Sequence, residues 1–137
     1  MGAFMLRMLC VLLLLSACGG SKPVTDGFSS VALTSSSVQQ RIQSLRDDYQ
    51  AAVRFWTNQD NACNHPSQFF PASGCTVTPE RLAVLRTGIE VTALNALNAA
   101  ERARAAWEQN QNPATAAQLD TAIKKARKEI DALGIPK

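Results

Sequence analysis

Histidine is almost missing from this 137-residue chain, where His65 stands alone. Neither a Ser-x-x-Lys pair nor a Gly-x-Ser-x-Gly elbow occurs, so the usual serine nucleophiles have no local signature. Aromatic residues make up only 6% of the sequence, and long runs of β-branched residues are lacking. That composition disfavours a sheet and leans helical, with Ala and Gln abundant. Charge of one sign is missing too. The formal net charge is +3, close to balanced, which does not support nucleic-acid binding. Carboxylates offer no catalytic pair either. Asp47 and Asp48 are adjacent and so point to different sides of a helix, and Glu80 and Glu90 would need a cleft that the pattern does not suggest. Glycoside cleavage needs two carboxyl groups roughly 5–9 Å apart across such a cleft. The chain reads as a non-enzyme without a cofactor.

The one strongly apolar run lies at the front. Arg7 is followed by Val11-Leu12-Leu13-Leu14-Leu15 and then by small residues. This run falls short of the ~20 residues that a membrane span requires, and it has the layout of a secretory signal peptide. Leu15-Ser16-Ala17-Cys18 resembles the lipobox of bacterial lipoproteins. The resemblance covers only the first 18 to 20 residues. It implies that residues 1–17 are removed and that Cys18 is acylated and becomes the first residue of the mature chain. Acyl chains suffice for stable attachment, since each buried methylene contributes about 0.8 kcal/mol. By the sorting preference of such lipoproteins, Gly19 after the cysteine implies the outer membrane, with the domain facing the periplasm. Loss of Arg7 brings the mature charge to +2.

Four cysteines then sort by place. Cys10 leaves with the signal and Cys18 carries lipid. Cys63 and Cys75 remain as an even pair in an oxidising compartment, where a disulfide is the default. Cys63, His65 and Cys75 could supply soft ligands to a metal, but a fourth ligand is lacking, and the disulfide is the stronger expectation.

Residues 18–36 comprise the lipidated cysteine and a Gly/Ser/Thr-rich tether, able to reach roughly 60 Å when extended. Residues 37–137 form the folded domain, large enough for one core. Ser37 and Gln40 are spaced as a capping box. Val38, Ile42, Leu45, Tyr49, Ala52 and Trp56 then recur every three or four residues, which predicts a first helix ending near residues 58–61. Thr78-Pro79-Glu80 opens a second helix. Its main stripe is Leu82, Leu85, Ile89, Ala93, Ala96, Ala100, Ala103 and Trp107. A second row, Val84, Val91 and Leu94, predicts that its first half is covered from two sides. Gly88 inside this helix signals close packing or a bend. Asn112 caps and Pro113 starts a third helix with the stripe Ala116, Leu119, Ile123, Ala126, Ile130 and Leu133, closed by Gly134. The predicted fold is all-α: an antiparallel three-helix bundle with one disulfide-closed loop between helices 1 and 2. The second helix should be near 46 Å long and the other two nearer 30 Å.

In that arrangement the disulfide loop, residues 61–77, projects from the pole farthest from the lipid. It carries His65, Phe69 and Phe70. Two roles fit the phenylalanines, and they are compatible. They cover the exposed start of helix two, or at least one stays partly exposed and anchors a partner. Trp56 and Trp107 are expected in the core. The cations Lys124, Lys125, Arg127 and Lys128 read as a solvated helix face, with Asp120, Glu129 and Asp131 three or four residues away to pair with them. Two functional classes follow. One is a lipid-anchored helical adaptor that contacts an envelope protein through the disulfide loop. The other is a structural or phage/plasmid-type accessory lipoprotein with an exclusion, lysis or inhibitor role.

Overall fold

The computed structural model describes residues 33–136, and the chain over that range is all-helical, with no strand among the described residues. The signal segment, Cys18 and most of the tether lie outside the described residues. No helix among the described residues is long and apolar enough to cross a membrane. Three helices result. The first is α1, Ser35–Asn64. The second spans residues 79–109 and comprises α2 (Pro79–Thr87), a π-helical segment (Gly88–Ala93) and α3 (Leu94–Gln109). The third is α4, Pro113–Asp131.

Helix starts follow hydroxyl and amide chemistry. Thr34, not Ser37, caps α1. Its Oγ1 accepts from the Ser37 N–H at 3.2 Å, and the Ser37 hydroxyl oxygen accepts from the Thr34 N–H at 3.1 Å. Ser37 therefore takes the reciprocal place in the capping box, and the cap lies three residues earlier than its sequence signal. Thr78 caps α2 by accepting from the Arg81 N–H, with Pro79 in the first turn. Glu80 stands in that turn, and its carboxyl is held below the ordinary value by its own backbone N–H and by the Thr78 hydroxyl. Asn112 caps α4 through the Thr115 N–H at 2.9 Å.

α1 is longer than its apolar stripe. At 30 residues it measures about 45 Å. The polar stretch after Trp56 stays helical because Ala62 is buried beneath the following loop. The stop comes at His65, which precedes Pro66 and leaves helical geometry with φ −136° and ψ 55°. At the other end of the chain Gly134 adopts φ +61°, the left-handed conformation that terminates α4.

One contiguous core joins all three helices: Val38, Ile42, Leu45 and Ala52 from α1, Leu85, Ile89, Ala93, Leu97, Ala100 and Trp107 from the second helix, and Leu119, Ile123, Ala126 and Ile130 from α4. Trp107 is buried, whereas Trp56 is only half-buried at the core's margin beside Tyr49, Val53 and Phe55. Burial raises the Tyr49 hydroxyl above its usual value, with a smaller contribution from the Glu90 carboxylate.

The glycine inside the second helix lies against the end of the Leu133 side chain. A Cβ at Gly88 would stand 2.7 Å from Leu133 Cδ2, closer than carbon atoms approach without something moving. Gly88 also opens the π-helical turn, in which the Leu94 N–H donates to Ile89 O five residues back. Close packing and a local change of pitch coincide at one residue. Beside it the Arg81 guanidinium donates to the Leu133 carbonyl, an orphan acceptor at the end of α4. The second apolar row behaves differently from its expectation. Val84 is 60% and Val91 53% exposed, and only Leu94 of that row is half-buried, while Leu97 joins the main stripe in the core.

Ion pairs cross between helices as well as running along them. Asp120 receives Lys124 Nζ at 2.6 Å from its own helix and Arg41 Nη2 at 3.3 Å from α1. Its carboxyl lies below the ordinary value, chiefly through the Lys124 hydrogen bond, with burial opposing and Arg41 assisting. A depressed folded-state value means that the stabilisation is complete above the unfolded carboxyl's pKa, near 4, and is lost as pH falls through the folded one. Asp120→Asn should therefore flatten the acid limb of a stability–pH curve below about pH 4 and leave its slope unchanged between pH 6 and 8. Chemical unfolding at stepped pH reads this directly. An acid limb equal to that of the unsubstituted chain refutes the assignment.

Candidate functional site: the cystine-closed loop

The residues singled out in the sequence converge on the connection between α1 and α2. α1 delivers Cys63 on its last turn, while Ala72–Gly74 forms a single 3₁₀ turn that delivers Cys75. The two sulfurs are bonded, with the Cα atoms 4.8 Å apart. The cystine occupies both thiols, so the alternative of a Cys63, His65 and Cys75 metal site has no thiolates to offer. Among the described residues no three His, Cys, Asp or Glu side chains converge to hold a metal ion.

Between the cysteines the chain makes its own small frame. The Ser67 N–H donates to Phe70 O at 2.9 Å, and the Phe70 N–H donates back to Ser67 O at 3.2 Å. The Gly74 N–H donates to Pro71 O at 2.8 Å and the Cys75 N–H to Ala72 O at 3.0 Å. His65 is exposed, and its backbone N–H closes α1 by donating to Asn61 O. Phe70 is half-buried.

Phe69 is the outlier. It is 79% exposed, the most exposed of the large apolar side chains among the described residues. Of the two roles open to the phenylalanines, covering the start of helix two therefore falls to Phe70 at most. A single exposed apolar residue is ordinary. An exposed phenylalanine at the tip of a covalently closed loop is a different situation, because ordering costs on association are already reduced.

Sequence reasoning missed Gln59. Its Oε1 accepts from the Thr76 N–H at 2.8 Å and from the Thr76 hydroxyl at 3.0 Å, while its Nε2 donates to Gly74 O at 3.2 Å. These bonds tie both neighbours of Cys75 to α1. The only available signal was spacing: Gln59 lies four residues before Cys63, on the same face of the helix.

The basic stretch of α4 is organised by acids. Lys124 pairs with Asp120 as its spacing predicts. Arg127 instead reaches across to the Asp48 carboxylate and to Ser44 Oγ at 3.0 Å on α1. A shallow hollow of about 560 Å³ lies between the two helices, lined by Ser37, Arg41, Ser44, Ile123, Arg127 and Lys128. Its arginines already hold carboxylates, which leaves little field for an anionic ligand. Asn95 and Asn98, which interrupt the apolar pattern of the second helix, are exposed to solvent.

No family model, curated protein or solved structure matches this chain.

Proposed function

We propose that this protein is a lipid-anchored envelope lipoprotein that acts by binding, not by catalysis, and that presents its cystine-closed loop to a protein partner. Cys18 carries the lipid, residues 18–36 supply the tether, and the domain faces the periplasm from the outer membrane. The reading of the anchor rests on Leu15-Ser16-Ala17-Cys18 and the apolar run before it. In this reading the helices form an antiparallel three-helix bundle. Support comes from the order of the cross-helix pairs. Arg41–Asp120 and Asp48–Arg127 rise together along α1 and α4, whereas from Arg46–Glu101 to Cys63–Cys75 the position rises along α1 and falls back from the second helix to the segment just before it.

Such an arrangement sets the start of α1 at Ser35 and the loop at opposite ends of that helix, about 45 Å apart. The observation that carries the binding role is the exposure of Phe69 at that far end. Aromatic anchors on constrained loops contribute most of the energy in many interfaces.

A photoreactive residue at position 69, in living cells, tests this against the same probe at Gln50, which is exposed on α1. The expected result is one discrete adduct from position 69, weakened when Cys63 and Cys75 are both replaced by Ser. No adduct from position 69, or an identical one from position 50, overturns the docking role. Incorporation of labelled palmitate is expected in the unsubstituted chain and not in Cys18→Ala. Labelling that survives this substitution overturns the anchor.

A further inference from the structure

We propose that Gln59 is the positioning residue for the Cys63–Cys75 cystine: its amide holds both residues that flank Cys75 in place, so that the two thiols face each other before they oxidise. The inference goes beyond the docking role and does not depend on any partner.

The geometry is specific. Gln59 and Cys63 occupy successive turns of one face of α1. The Gln59 carboxamide uses both of its ends, accepting twice from Thr76 and donating once to Gly74. Gly74 and Thr76 bracket Cys75, so the amide grips the strip of chain that the disulfide must reach. The 3₁₀ turn at Ala72–Gly74 stiffens the approach to that strip. Residues 65–71, by contrast, bond only locally or to the end of α1. Without the amide, no hydrogen bond would hold the Cys75 segment against α1, leaving the cystine and the packing of Gly74 over Ala62.

Linkage makes the claim quantitative. Any interaction formed only when the loop is docked favours the cystine, and the cystine favours that interaction by the same factor. With glutathione disulfide as oxidant, the step balances. Cys63 and Cys75 give up two electrons and two protons and form one S–S bond. The S–S bond of glutathione disulfide breaks, and two molecules of reduced glutathione leave. The ratio of cystine to dithiol in a fixed glutathione buffer therefore reads the strength of the Gln59 clamp.

The experiment equilibrates the full chain in such buffers and traps its thiols by differential alkylation, with peptide mapping to separate Cys63 and Cys75 from Cys10 and Cys18. Gln59→Leu is expected to lower the cystine-to-dithiol ratio about tenfold, the scale of one net hydrogen bond's contribution. Gln59→Glu retains acceptors for Thr76 and should lower it less. Thr76→Ala removes only the hydroxyl donor and should lower it about twofold to threefold. Gln43→Ala, which loses an exposed Asp47 contact elsewhere on α1, should leave the ratio unchanged. In concentrated urea all variants should coincide, since the clamp exists only in the folded chain. A Gln59→Leu chain with intact helicity and an unchanged ratio overturns the proposal, as does a shift that persists in urea. Should Gln59→Leu fail to fold, an unchanged ratio in Thr76→Ala overturns it equally.

Discussion

Leu119→Ala lowers the unfolding free energy by about 3–4 kcal/mol, a loss of the size expected when a fully buried leucine is truncated. Leu119 has no exposed surface and sits in the core that joins the three helices, near the start of α4. Truncation removes the transfer free energy of the lost methyl and methylene groups and leaves a cavity. Ala100 and Ala126 of the same core are themselves fully buried and have little side chain with which to fill such a cavity. A domain of about 100 residues is stable by only 5–15 kcal/mol, so this loss is a large part of the whole. Urea unfolding should show a lower midpoint with an unchanged slope. Phe69→Ala is the matched control. At 79% exposure the ring buries little, and its removal should change stability by less than about 0.5 kcal/mol. A loss from Phe69→Ala comparable to that from Leu119→Ala would mean that the loop is part of the core, and the docking role would go with it.

Replacing Cys63 and Cys75 together by Ser is expected to cost about 3 kcal/mol. The closed loop is short, with a sequence separation of 12, and the loop-entropy relation gives that size at room temperature. The effect acts mainly through the unfolded chain, which becomes free to expand. The urea slope should therefore rise as the midpoint falls, unlike the case of Leu119→Ala. Helical content should stay nearly constant, because the helices on either side retain their own caps at Thr34 and Thr78. A double Ser variant with unchanged midpoint and slope would show that the cystine constrains nothing that the clamp at Gln59 does not already hold.

Much of this architecture was legible one helix at a time. The stripes of α1 and α4, the caps at Thr78 and Asn112, and the stop at Gly134 are short-range signals, each decided within a turn or two by hydrogen-bond satisfaction and apolar spacing. The cystine was legible for another reason, since two cysteines in the folded segment leave one intramolecular pairing. Where a short-range signal was ambiguous, the reading slipped. Thr34, Ser35, Ser36 and Ser37 all carry hydroxyls, and only the reciprocal geometry selects Thr34 as the cap. The end of α1 slipped further. The polar run after Trp56 looks like a stop, yet the helix continues to Asn64 because Ala62 is covered and Gln59 and Cys63 are engaged from outside the helix.

The candidate site divides in the same way. Cys63, Cys75 and Phe69 announced themselves by chemistry and by position in a polar loop. Gln59 did not, since a glutamine on a helix face says nothing about a chain segment 15 to 17 residues away. Arg127 gave no sign of reaching Asp48 on another helix rather than an acid on its own.

By itself, the amino-acid order determined that this segment is helical, where its second and third helices begin, and that one covalent link closes the loop between the first two. These are properties of neighbouring residues, set by backbone hydrogen bonding and side-chain spacing. Tertiary structure alone decided that Val84 and Val91 of the second apolar row stay exposed, that Gly88 packs against Leu133, and that Phe69 is left in solvent. Those outcomes depend on which surfaces meet, and surfaces far apart along a chain meet only when the whole core closes.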